Sequence, residues 1–312
     1  MANPGKFRFG AQVFKAGSAN EWKEKARKIQ DLGYSTLLIP DHFNDLLAPI
    51  SAMMCAADAA PTLRIGSLVY DNDYRHPVVL AKEAATLDLL SDGRLEFGLG
   101  AGWMAIDYQQ SGIPYDGVGT RIDRFEEGLA IIKGLFAGGP FSFSGKHYEV
   151  TELEGTPKPV QKPHPPILIG GGGKRILSIA AREADIINVN FSMKAGAIVP
   201  EATATGSAEA TKEKIAWLRQ AAGSRINDIE LSVTVFATVV TDDRERAAAQ
   251  VSPMFGIPVE MVLESPHVLI GTVDSIVDDL QRRREEYGFS YVIFSGDVFE
   301  SVAPVVSKLS GS

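Results

Sequence analysis

Short apolar runs alternate along this chain with longer segments in which apolar residues return every third or fourth position. Runs at 7–14, 34–39, 64–69, 94–99, 167–169, 185–189, 229–240 and 291–295 read as eight strands. Segments 20–32, 78–90, 120–136, 175–183 and 209–222 read as helices, and 244–254 and 274–287 add two more before the last strand. In 20–32, Trp22, Ala26 and Ile29 share one face. In 120–136, Ile122, Phe125, Leu129 and Ile132 recur at helical spacing. Gly138-Gly139-Pro140 then stops that helix, because glycine permits a left-handed cap and proline cannot continue a helix.

Eight strands alternating with helices predict an α/β fold of the (β/α)8 TIM-barrel type, one domain over 1–312. An open doubly wound sheet would leave the last third of the chain unexplained. Residues 138–165 break the alternation between strands 4 and 5. FSFSGKHYEV (141–150) reads as a hairpin, and TPKPVQKPHPP (156–166) as an extended, proline-set connection. The small-residue segment 196–206 reads as mobile.

Composition narrows the classes of function. The net charge of −8, with no basic stripe, argues against nucleic-acid binding. The one cysteine, Cys55, excludes a disulfide framework; it lies in the apolar stretch 50–60 and reads as a buried thiol. No apolar run is long enough to span a membrane, and MANPGKFRFG carries no long apolar core, so a cytoplasmic protein is expected. No His/Cys/Asp/Glu spacing suits a metal, and neither a GxSxG elbow nor a Walker motif occurs.

Candidate chemistry collects at the ends of strands. Gly170, Gly171, Gly172 and Gly173, followed by Lys174 and Arg175, stand between a strand and a helix. Bare backbone can approach a phosphate there, the helix start offers unpaired N–H groups, and two cations add charge. Gly98-Leu99-Gly100-Ala101-Gly102 looks like a dinucleotide fingerprint, but Trp103 occupies the slot of its last glycine. The better reading is a small-residue floor for a flat ring system, with Gly100, Ala101 and Gly102 in contact. Asp41 and His42 end the second strand, where polar side chains of a barrel serve the site, and histidine can exchange a proton near neutral pH. His76, before Pro77, reads as a helix cap. Phe14, Tyr70 and Trp103 suggest an apolar pocket.

Four stretches together resemble the luciferase-like flavin superfamily, and within it the deazaflavin (coenzyme F420)-dependent oxidoreductases. They are Pro40-Asp41-His42, GSLVYDNDYRHP (66–77), SDGRLEFGLGAGW (91–103) and PILIGGGGKR (166–175), with Gly271-Thr272-Val273 in support. The resemblance implies a barrel holding F420 at its C-terminal mouth, often as a homodimer. Asp41 would then bond the ring edge, and His42 would lie near the redox carbon. Ser67, Leu68, Val69 and Tyr70 would form a bulge under the rings, with a cis peptide at Ser67–Leu68 or Leu68–Val69. Trp103 stands where sugar-phosphate dehydrogenases of the family carry a catalytic glutamate, which disfavours such a substrate; the next acid is Asp107. F420 also carries an acidic tail, which suits Lys174 and Arg175. The implied activity is hydride transfer between F420 and a small organic substrate. An FMN-dependent monooxygenase and a non-catalytic flavin-binding protein are the alternatives.

Overall fold

A computed structural model describes residues 5–312; residues 1–4 of the expected 1–312 domain lie outside the described residues. The chain opens β1 (Arg8–Gln12), α1 (Ala19–Asp31), β2 (Thr36–Ile39), α2 (Pro49–Ala59), β3 (Arg64–Ser67), β4 (Tyr70–Asp71), α3 (Pro77–Leu90) and β5 (Leu95–Gly100). Next come α4 (Ala105–Ser111), α5 (Val118–Phe136), the hairpin β6 (Pro140–Ser144) and β7 (Glu149–Glu154), then β8 (Ile167–Gly171), α6 (Lys174–Glu183) and β9 (Ile186–Val189). The last part runs α7 (Pro200–Ala204), α8 (Ala208–Ala222), β10 (Glu230–Val235), β11 (Ala237–Val240), α9 (Arg244–Phe255), α10 (Val259–Glu264), β12 (Val268–Gly271), α11 (Val273–Tyr287), β13 (Phe289–Ser295) and α12 (Ala303–Leu309).

Eight parallel strands close on themselves in the order β1-β2-β3-β5-β8-β9-β10-β13, with β13 pairing back to β1. The expected (β/α)8 barrel and its antiparallel hairpin excursion are both present. Helix caps follow local chemistry. The Ser18 hydroxyl accepts from the Glu21 amide at the head of α1, and His76 Nδ1 accepts from the Val78 amide at the head of α3, as its place before proline suggested.

Four readings need correction. The run 229–240 is two strands: the chain leaves the barrel at Phe236, and β11 pairs with β12 in a separate two-stranded sheet. With α9 and α10 that pair builds a satellite core around Phe191, Val251, Phe255 and Ile270. The apolar stretch 50–60 is helix α2, which accepts the Trp22 indole N–H on the Ala52 carbonyl at 2.8 Å; Cys55 on it is half-buried. The segment 196–206 contains α7, and the Gly196 carbonyl accepts from the Ala105 amide across the mouth. Tyr70 does not line a pocket: it is fully buried, tilted against Phe97.

The barrel interior is layered. Leu38, Leu168, Tyr291 and Ile293 fill the middle, and Leu68 and Val69 pack on them from the mouth side. Gly98 and Gly100 carry no side chains because Ser67 and Val69 occupy the space a Cβ would need. These glycines therefore form a pit that seats the bulge after β3. Among the described residues, no helix is long and apolar enough to cross a membrane.

Candidate functional site at the C-terminal mouth

The C-terminal ends of all eight strands share one rim, which brings the second, third, fourth and fifth barrel strands' loops together. The peptide Leu68–Val69 is cis, one of the two positions expected. Gln12 Nε2 donates to the Leu68 carbonyl at 3.2 Å, and Ser67 Oγ donates to the Gly98 carbonyl at 2.7 Å. The bulge is thus tied to β1 and to β5, leaving the half-buried Leu68 and Val69 as the floor of the mouth.

His42, just past β2, is held at one nitrogen. Its Nδ1 lies 2.6 Å from Asp107 Oδ2 on α4. Asp107 also accepts from the Tyr74 hydroxyl at 3.1 Å and from the Phe43 amide at 3.4 Å. A carboxylate that already takes two donors accepts a third readily, so the Nδ1–H tautomer suits the neutral ring. The other nitrogen, Nε2, has no partner among the described residues, and the side chain is 17% exposed. Trp103 stands edge-on to the imidazole at 5.5 Å. Burial, then the carboxyls of Asp71 and Asp107, push the Tyr74 phenol well above its ordinary range, so it stays protonated and donates to Asp107.

Asp41 lies elsewhere in the same loop layer. Its two oxygens accept from Arg75 Nη1 and Nη2 at 2.5 and 3.2 Å, and Oδ2 also accepts from the Asp71 amide. Asp41 is buried and pins β2 to β4. Beside it, Asp71 is buried with no cation in contact among the described residues. Burial pushes its carboxyl up to about 7, against the lowering pull of the Asp73 amide and the Tyr108 hydroxyl. Tyr108 donates to both Asp71 and Asp73, while Arg124 clamps Asp73 and Asp116. Gly102 is in the left-handed region at φ +72°, and a Cβ there would collide with the Tyr108 hydroxyl. Gly100 and Ala101 continue this turn from β5.

On the fifth barrel strand, the four glycines divide the work. A Cβ on Gly170 would reach Val69 at ordinary contact distance, whereas one on Gly171 would run into Ile176. A Cβ on Gly172 would run into the Asn190 and Phe191 carbonyls, so its bareness serves strand packing. Gly173 opens onto empty space and caps α6 without a side-chain bond. The first amides of α6 are therefore available, a cradle suited to an anion. The two cations also differ. Arg175 is drawn to Asp123 and Glu126 on α5, at 2.7 and 2.8 Å. Lys174 pairs with no carboxylate among the described residues and lies 5.9 Å from the Trp217 ring. Asp107 and Tyr74 were the residues sequence reasoning did not assign a role; Asp107 stood out only as the first acid after Trp103. No group of three potential metal ligands occurs among the described residues.

The family described as luciferase-like monooxygenase matches residues 6–288. An FMNH2-dependent dimethylsulfone monooxygenase of Pseudomonas putida is 28% identical over 173 residues, 55% of this chain and 44% of that protein. An F420-dependent glucose-6-phosphate dehydrogenase of Amycolatopsis mediterranei is 24% identical over 294 residues, 90% of this chain and 83% of the relative. Among solved structures, the F420-dependent tetrahydromethanopterin reductase of Methanopyrus kandleri superposes with a TM-score of 0.76 at 18% identity, covering 98% of both chains. The chain thus spans less than half of the sulfone monooxygenase but most of the dehydrogenase.

Proposed function

We propose, from the premise that this chain belongs to the luciferase-like monooxygenase family, that it is an oxidoreductase using F420 at the barrel mouth. One juxtaposition carries the reading. A histidine anchored at Nδ1 and open at Nε2 shares a rim with an uncapped helix start and a lysine that pairs with no carboxylate among the described residues. The residues present fit such a group. Gly173 and the first amides of α6 would hold its phosphate, with Lys174 as counter-charge, and Leu68 and Val69 would support the rings. When bound, the deazaflavin supplies two-electron hydride chemistry, which is the cofactor's own. His42 Nε2 takes or returns the proton of the substrate's hydroxyl, and Asp107 keeps the ring turned so that Nε2 faces the mouth. Tyr74 holds Asp107 in place. Asp41 acts as a positioning residue through Arg75 rather than by proton exchange.

The relative matched over 90% of this chain is F420-dependent, which favours F420. FMN is the second reading, favoured by the higher identity of the sulfone monooxygenase over its shorter span. Titration of the purified protein with each cofactor, followed by absorbance and calorimetry, tests the choice. Tight F420 binding with weak FMN binding is expected. Tight FMN binding without F420 binding would overturn it, and binding without turnover over a broad alcohol, imine and enone panel would leave a flavin-binding protein.

A further inference from the structure

Trp217 and Lys214 stand three positions apart on α8 and so share a face. Trp217 meets Lys174 at the head of α6, whereas Lys214 is only 2% exposed. Its Nζ donates to the Asn190 and Thr205 carbonyls, each at 2.6 Å, and pairs with no carboxylate among the described residues. Two neutral acceptors leave its charge unbalanced away from water, which costs stability. The Asn190 carbonyl connects this charge with the glycine turn. A Cβ on Gly172 would lie 2.4 Å from that oxygen, so the same atom rests against Lys214 and against the backbone leading into α6. The Asn190 amide in turn donates to the Gly171 carbonyl at 2.9 Å.

The charges around Lys214 do not neutralise it. His267 is buried and bonded through Nδ1 to the Thr234 carbonyl; burial, helped by Lys214 and Arg283, pushes it down to about 3, so it is neutral at pH 7. Arg283 is tied to Asp279, and Lys212 to Glu286. Lys174 and the exposed Lys194, on the same loop as Asn190, are themselves cations. Glu213, next to Lys214 in sequence, is exposed, and water screens it. Burial therefore outweighs the pull of Glu213 and pushes the Lys214 ammonium down to about 8. An anion seated on the first amides of α6 would supply the balancing charge that Lys214 lacks.

We propose that Lys214 is a positioning residue and buried counter-charge of this cradle, and that seating an anion there draws a proton from solvent onto its amine. This rests on the reading of the cradle as the cofactor's phosphate site, and adds a pH linkage to it. Deprotonation removes only the charge, because a neutral amine keeps two N–H groups, enough for both carbonyls. An anion that favours the ammonium must then bind more weakly as pH rises through about 8.

Sulfate, whose charge is fixed at neutral and alkaline pH, is the simplest probe, with FMN and F420 beside it. Calorimetry in buffers of different ionisation enthalpy reads affinity and proton uptake, and NMR of 15N-labelled lysine reads Lys214 itself. Affinity is expected to fall about fivefold from pH 7 to pH 9, with about 0.4 of a proton taken up near pH 8. The Lys214 titration midpoint should rise by about one pH unit when the anion saturates. Lys214→Met, similar in length and uncharged, should bind about tenfold more weakly than the parent at pH 7 and about twofold at pH 9. Asp71, which ionises near pH 7, acts on both proteins alike and cancels in their ratio. A ratio that does not change with pH, or a midpoint unmoved by the anion, overturns the proposal; the midpoint is read on the parent and stands even where the variant fails to fold. No binding by sulfate, FMN or F420 overturns it as well. If sulfate binds with its proton and neither cofactor binds, the oxidoreductase reading falls and the coupling stands. If the cofactors bind and the midpoint stays put, the coupling alone falls.

Discussion

Two buried carboxyls at opposite ends of the barrel show how one fold separates stability from function. Glu96, near the N-terminal floor, accepts from Arg8, Arg64, Thr36 and Tyr291. Burial alone would push its carboxyl up, but Arg8 and Arg64 outweigh burial and hold it below the usual carboxylate range. Asp71, at the mouth, has no such partner and is pushed up to about 7 by burial. The floor opens on a cavity of about 370 Å³ lined by Arg8, Arg64, Glu96, Gln161 and Glu230. Its charges satisfy one another, whereas the mouth leaves His42 Nε2 and the first amides of α6 without protein partners among the described residues. Saturated polar groups fasten a structure; unsaturated ones can bind.

The strongest way to break the contrast is at the floor. Glu96→Leu leaves Arg64 without a carboxylate and Arg8 with Glu230 alone, and is expected to lower unfolding free energy by about 3 kcal/mol, the lower end for a broken buried pair because both arginines retain some exposure. Denaturant titration measures it, and cofactor affinity of the folded protein should be unmoved. At the mouth, His42→Ala should cost about a hundredfold in kcat with the melting temperature preserved; a large loss of stability would assign His42 to the frame.

Asp71 separates the two ends by pH. Its folded value near 7 lies above the usual 3.8, so the folded state binds the extra proton between them and stability falls as pH rises across that window. Asp71→Asn removes this dependence. The variant should gain about 2 kcal/mol relative to the parent between about pH 5 and pH 8, read from melts at both; a constant difference would place the proton elsewhere. Asp107→Asn offers an N–H to Nδ1 and reverses the tautomer. It should cost about tenfold in kcat with KM little changed, and NMR of labelled histidine should show the proton on Nε2. The smallest effect sharpens the choice between neighbouring cations. Lys174→Ala should weaken cofactor binding by about fivefold, while Arg175→Ala, already tied to α5, should change it by less than twofold.

Legibility followed range. The helix expected over 120–136 is Val118–Phe136, and the strand over 94–99 is Leu95–Gly100, because each buries one periodic face or one short apolar run. Helix α2 was hidden, since small apolar residues surround it and leave no period to detect. The break at Phe236 was hidden too: an unbroken apolar run does not say where a strand changes sheets. The mouth was readable as a place, through Asp41, His42 and the two glycine stretches. The partners of its side chains were not, because Asp107 reaches His42 across 65 positions and Asp123 reaches Arg175 across 52.

By itself the amino-acid order determined the alternation of strand and helix, the barrel, and the rim on which reactive groups sit. Those follow from apolar period and from the lack of a Cβ, both local properties of the chain. Only the closed barrel decided which groups remain available. Availability is what is left after distant side chains have paired, and that pairing took Asp41 and Arg175 while leaving His42 Nε2 and Lys174.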